Sequence, residues 1–268
     1  MKKKITPRTI FITACIFLLV FSLLQIGLQA KDYLLGDSSN QKIEQLSGIS
    51  PSAAAGLPSG TKPDPLLEDA LSCFADCDFD ALTKANDEII AWIVIPGTNI
   101  SYPVCQHADN QYYLEHTSNK ETSRIGAIFA DYRVDAPFEE FNTILYGHRL
   151  LNQTMFSALK TYQSKENWEK NPYIYICTPE TVSVYEIYSA FRGDPDGISY
   201  DVGIHSEKKK QAFIDYSLSC AEYDTGIIPT TEDSFLTLST CTGSGHTQRM
   251  IIHSVLCASA PNPSSEAQ

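Results

Sequence analysis

The sequence predicts a mainly β domain of the α+β kind: a closed or nearly closed eight-stranded barrel, with a helical segment before the first strand and a helix inserted before the seventh. Two observations predict it. Eight short runs rich in β-branched and aromatic residues are separated by turn residues. Helical spacing appears only in a few stretches before or between those runs, and no internal repeat divides the chain. Short strands decorated by helices close economically into a barrel, which leaves no unpaired edge.

At the N-terminus, Lys2, Lys3, Lys4 and Arg8 precede an apolar run from Ile10 to Leu28 whose clearly polar residues are Thr13, Ser22 and Gln25. Such a run forms a helix of about 28 Å, close to the roughly 30 Å hydrocarbon core of a bilayer. Basic residues stay on the cytoplasmic side, so residues 10–28 are expected to be a transmembrane anchor with residues 1–9 inside and the remainder outside. A cleaved signal peptide ending near Leu28-Gln29-Ala30 is the alternative; its apolar region is usually only about 7–15 residues long. Both place the rest of the chain outside the cytoplasm.

Charge divides the same way. The chain has 20 Lys+Arg and 32 Asp+Glu, net −12; residues 1–35 carry +4, so the rest carries −16. That excess argues against nucleic-acid binding, which needs a basic footprint. Residues 29–65, dense in Ser, Gly, Ala and Pro, read as a flexible linker. About 200 residues remain, enough for one domain with a sizeable core.

Within that domain, Leu66–Asn86 has helical spacing at Leu67, Leu71 and Phe74. The predicted strands are 91–95, 100–105, 126–129, 143–147, 173–177, 182–191, 234–240 and 249–256, with Pro96-Gly97 suited to the centre of a type II turn. Met155–Tyr162 reads as a short helix. Ser206–Tyr223 reads as a longer one, with Ser206 as N-cap and an apolar stripe at Phe213, Tyr216, Cys220 and Tyr223. The Pro/Ser-rich tail 258–268 is expected to be disordered. Of the eight cysteines, Cys15 falls in the apolar run, most others read as small buried hydrophobes, and Cys73/Cys77 have the spacing of a metal or disulfide pair.

Three residues at strand tips carry the chemistry. Phe235-Leu236-Thr237-Leu238-Ser239-Thr240 delivers Cys241; Thr143-Ile144-Leu145-Tyr146-Gly147 delivers His148; Arg249 begins the last strand. Alternation puts Ser239 on the face of Cys241, and Tyr146 on the face of His148. A thiol, an imidazole and a guanidinium are the parts for nucleophilic attack on an amide. His246 and His253 are rival imidazoles, the first in a polar loop and the second mid-strand. His107, His116 and His205 lie in polar stretches and read as surface residues.

Leu145-Tyr146-Gly147-His148 and Thr237-Leu238-Ser239-Thr240-Cys241 followed by Arg249 resemble the signature of the sortases, membrane-anchored cysteine transpeptidases of Gram-positive bacteria. Ala91-Trp92-Ile93, Tyr102-Pro103-Val104, Asp109 to Leu114, Gly126-Ala127-Ile128-Phe129, Asp131-Tyr132-Arg133 and Met155-Phe156 are similar to class B. The resemblance covers roughly residues 66–257. It implies the eight-stranded sortase barrel, with Cys241 as nucleophile, His148 as acid/base, Arg249 as oxyanion or substrate-positioning group, and Asn110, Tyr146 and Ser239 as contacts to the sorting peptide. Implied partners are surface proteins bearing a C-terminal sorting signal, cleaved at a Thr-Gly or Thr-Asn type bond, and the amine of a lipid-linked peptidoglycan precursor. No metal or other cofactor is required. Alternatives are a pilin-polymerising sortase using a pilin lysine, a surface cysteine protease, and a non-catalytic peptide-binding barrel. Thr242-Gly243 follows Cys241 where several members carry an acidic residue.

Overall fold

The computed structural model describes residues 7–49, 57–241 and 247–264. Its eight strands are β1 (Ile89–Ile95), β2 (Ile100–Cys105), β3 (Ile128–Ala130), β4 (Asn142–Tyr146), β5 (Tyr173–Cys177), β6 (Thr181–Gly193), β7 (Phe235–Cys241) and β8 (Arg249–Pro261). They form a closed barrel in the order β1-β2-β3-β4-β7-β8-β6-β5, with β1 also pairing β5. The pairs β2–β3 and β4–β7 are parallel. The β1–β2 hairpin turns at Pro96-Gly97, where Gly97 has φ +73°, a left-handed value that a type II turn requires.

Alternation along the strands sorts the core. Ile93, Ile95, Ile128, Leu145, Ile174, Ile176, Leu236, Leu238 and Ile252 pack together in one buried cluster. Their intervening neighbours pack under helices: Trp92, Val94, Tyr173 and Tyr175 with α2 (Pro63–Cys73), and Phe235 and Val255 with α5 (Glu207–Cys220). With apolar residues on both faces these strands read as nearly continuous apolar runs, and each large side chain buried contributes roughly 1.5–3 kcal/mol. Ser206 caps α5, its hydroxyl accepting from the Lys209 amide at 3.4 Å.

The helices differ from expectation at several points. α1 runs unbroken from Pro7 to Ser47, so the segment 29–47 is helix rather than flexible linker. Ser39, Ile43 and Ser47 recur every four residues and are buried. Ser39 donates to Thr117 at 2.9 Å, and a Cβ on Gly36 would meet Ile125 Cδ1 at 2.2 Å. The glycine that suggests flexibility in sequence permits close packing instead. Gly48, with φ +68°, follows the helix end. α2 begins at Pro63, since proline fits the first turn, where its missing N–H costs nothing. The linker's residues 50–56 lie outside the described residues.

α2 buries Leu66, Ala70 and Cys73, one position off the predicted Leu67 and Leu71, while Phe74, the third residue of the predicted stripe, is buried at the C-cap, and α3 (Phe79–Ala85) is a separate helix capped by Asp78. Met155–Tyr162 is replaced by a 3₁₀ helix, Phe156–Gln163, followed by α4 (Lys165–Lys170). The tail is ordered further than expected. β8 extends to Pro261 because the equally long β6 offers partners as far as Thr181. Buried Asn262 donates to the Thr178 carbonyl at 2.9 Å, and residues 265–268 lie outside the described residues.

Cys73 and Cys77 are buried free thiols, and burial pushes the Cys73 thiol up to about 12. Among the described residues no three His, Cys, Asp or Glu side chains form a metal-binding group. The apolar part of α1 is exposed, with Phe11 69% and Leu24 59% accessible. It is a candidate membrane anchor or signal sequence.

Candidate active site

Two strand registers build the site. In the parallel β4–β7 pair Tyr146 lies opposite Ser239, and the Gly147 amide donates to the Ser239 carbonyl at 3.2 Å. Two residues further on, His148, just beyond the end of β4, comes level with the position of Cys241 at the end of β7. In the antiparallel β7–β8 pair Cys241 lies directly opposite Arg249. The Cys241 side chain is outside what the structure describes.

A groove of about 660 Å³ opens here, within the usual size range of ligand sites. Asn110, Tyr146, His148, Ser239 and Arg249, five of the six residues expected at the site, line it, and Cys241 is at its edge by backbone register. Gln111, Leu114, Phe129 and Arg133 line it as well. The opposite wall is the β6–α5 connection, with Pro195, Asp196, Gly197, Tyr200 and Asp201.

His148 is half-buried, and its Nε2 is 2.8 Å from the Leu114 carbonyl. A carbonyl only accepts, so Nε2 carries a proton and Nδ1 is the ring nitrogen left for the groove. Gly126 makes room for the imidazole: a Cβ there would be 2.9 Å from His148 Cδ2 and 2.5 Å from the Tyr113 carbonyl. Asn110 Oδ1 accepts from the Tyr132 amide at 3.0 Å, which aims its NH₂ donors elsewhere. Tyr146 donates to Asp131 at 2.8 Å, and burial followed by the Asp131 charge pushes its phenol well up. Ser239 and Tyr200 share a hydrogen bond of 2.7 Å between their hydroxyls.

His253 is fully buried against Thr237 and Ser199, and burial lowers it to about 3, which makes it a neutral packing residue. His246 lies outside the described residues. His107 and His116 are not simple surface groups; they stack on opposite sides of Tyr112, with centroids 4.3 and 4.0 Å away. Tyr200 and the wall around it were not legible from sequence, because Asp194-Pro195-Asp196-Gly197 carries only the composition of a turn.

The sortase domain family model matches residues 93–257, the barrel from β1 through most of β8. The chain belongs to the sortase family. Sortases are cysteine transpeptidases, and the relatives of this one are of class B. It is 31% identical to sortase B of Staphylococcus aureus over 61% of this chain and 67% of that protein. It is 30% identical to sortase B of Listeria monocytogenes over 60% of this chain and 65% of that protein, so it matches about two thirds of each. The S. aureus sortase B–substrate complex superposes with a TM-score of 0.63 at 29% identity, covering 66% of this chain and 83% of that one.

Proposed function

We propose that this sortase is an extracellular, membrane-anchored transpeptidase that cleaves a C-terminal sorting signal at a Thr-Gly or Thr-Asn type bond. It then joins the released protein to the amine of a cell-wall precursor. The observation that carries this reading is the paired register: Tyr146 opposite Ser239 and Cys241 opposite Arg249 bring an imidazole, a thiol position and a guanidinium to one end of one groove.

The Cys241 thiolate attacks the scissile carbonyl, assisted by nearby cations that favour the charged form. Arg249 supplies fixed N–H donors to the developing oxyanion. His148, holding the proton taken from the Cys241 thiol, gives it to the departing amine, leaving a thioester on Cys241. The incoming amine attacks the thioester and gives its proton to His148; a new amide forms and Cys241 leaves as the thiolate. Asn110, Tyr146 and Ser239 contact the sorting peptide along the groove. Residues 10–28 anchor the chain, residues 66–257 form the catalytic domain, and confinement at the membrane raises the effective concentration of membrane-retained substrates and lipid-linked amine.

The test is intact-protein mass spectrometry of the full chain in detergent, wild type and Cys241→Ala, with peptides carrying Thr-Gly or Thr-Asn type signals, with and without an amine. A thioester adduct on wild type alone, discharged by amine into a ligated peptide, is expected. Equal peptide binding by both proteins, with no adduct and no release by hydroxylamine, would refute catalysis and leave a peptide-binding barrel.

A further inference from the structure

One buried carboxylate beside the groove has no part in the chemistry above. Asp131, immediately after β3, is fully buried, yet it is not among the residues lining the groove. A buried charge is costly to hold unless it is paired. Four donors converge on it: the Arg133 amide at 3.0 Å, Arg133 Nε at 2.9 Å, Arg133 Nη2 at 2.6 Å and the Tyr146 hydroxyl at 2.8 Å. Four donors match the lone pairs of an ionised carboxylate. Burial pushes the carboxyl up, but the hydrogen bonds and charge of Arg133 outweigh it and hold it below its usual range.

Those donors belong to the groove. Tyr146 and Arg133 both line it. Arg133 Nη2 also donates to the Tyr200 carbonyl at 3.1 Å, so one guanidinium bridges the barrel and the opposite wall. The Tyr146 and Tyr200 rings stand parallel, 2° apart in plane and 6.2 Å between centroids. Tyr200 closes the circuit through its hydroxyl contact with Ser239 on β7. Apart from a single 3₁₀ turn, Ile198–Tyr200, the β6–α5 connection has no regular structure, and this carboxylate-centred chain ties it down beside the groove.

We propose that Asp131 is a positioning residue for substrate: through Arg133 and Tyr146 it sets the separation of the two groove walls, and hence the hold on the sorting peptide. The proposal rests on the peptide-groove reading above, but its structural half does not need turnover to be tested. A buried charge cluster that only stabilised the fold would affect the whole barrel, whereas this one acts on the wall and on peptide capture.

The experiment compares the full chain in detergent as wild type, Asp131→Asn and Arg133→Lys. The lysine keeps the charge of the half-exposed Arg133 but not the fork that bridges Asp131 and Tyr200, so it tests the same link should the asparagine variant fold poorly. Hydrogen exchange is read at the amides of Tyr200 and Asp201 and, as a reference, at β5. Steady-state transpeptidation gives kcat and KM, and alkylation by iodoacetamide, followed by mass spectrometry of the Cys241 peptide to separate it from free Cys15, Cys220 and Cys257, reports the Cys241 thiol. Faster exchange at Tyr200 and Asp201 with β5 unchanged is expected in both variants. KM for peptide should rise roughly 10-fold, kcat should fall less than about 3-fold, and the alkylation rate should be unaltered. Unchanged exchange at Tyr200 and Asp201, unchanged KM in an active enzyme, or parallel loosening of β5 would each overturn the proposal. A wild type that never turns over would sink the proposed function, while the exchange pattern would still decide the role of Asp131.

Discussion

His253 makes stability depend on pH in a calculable way. Its ring is enclosed by Tyr188 and Phe191 of β6 and Phe213 of α5, and its nitrogens meet Thr237 of β7 and Ser199. Thr237 donates to Asn142, so it accepts from His253 Nδ1, and Ser199 donates to Nε2. Both nitrogens are satisfied only in the neutral ring, and burial lowers the group from 6.5 to about 3. Between those values the unfolded chain binds a proton that the folded chain refuses, so stability falls as pH falls below the unfolded value. At about 1.4 kcal/mol per pH unit, taking pH from 7 to 5 costs roughly 2 kcal/mol. The assay is urea unfolding of the full chain in detergent at both pH values, followed by fluorescence of Trp92 and Trp168. With a slope of about 1–3 kcal/mol per molar urea, the midpoint should fall by about 1 M. Carboxylates add their own pH dependence, but they do so equally in His253→Gln, which has no imidazole. The wild type should therefore lose about 2 kcal/mol more than the variant between pH 7 and pH 5. A difference below about 0.5 kcal/mol would refute a neutral, buried His253.

Gly126→Ala should hurt activity more than folding. Its φ of +68° disfavours a side chain, and the added Cβ pushes against the His148 ring and the Tyr113 carbonyl. About 1–3 kcal/mol of destabilisation should accompany a roughly 100-fold loss of kcat/KM, since catalytic groups tolerate little displacement. Equal losses in Tm and activity with a Gly203→Ala control would contradict this. Leu238→Ala empties a fully buried position in the main core cluster and should cost about 2–5 kcal/mol in denaturant unfolding; a cost under about 1 kcal/mol would mean that the core collapses around the gap.

The pattern of apolar and β-branched runs determined the eight strands, because burial on both faces leaves a mark in residue type that needs no knowledge of partners. Strand alternation likewise put Tyr146 with His148 and Ser239 with Cys241, since side-chain direction in a strand is a local property. The motifs around those residues carried the family. What composition could not show was whether a segment finds something to pack on. Residues 29–47 look like linker, but Ser39, Ile43 and Ser47 bury a stripe and Gly36 meets Ile125; the tail's residues 258–261 continue β8 because β6 is long enough to pair with them. Tertiary structure alone decided which strands neighbour each other. Pairing β4 with β7 across nearly ninety residues of intervening chain is a non-local choice, and it brings His148 alongside Cys241. The same closure folds the turn-like segment around Tyr200 over the sheet, where Asp131 and Arg133 hold it. A hydrogen bond between distant segments leaves no periodicity in either, so that wall became visible only once the barrel had closed.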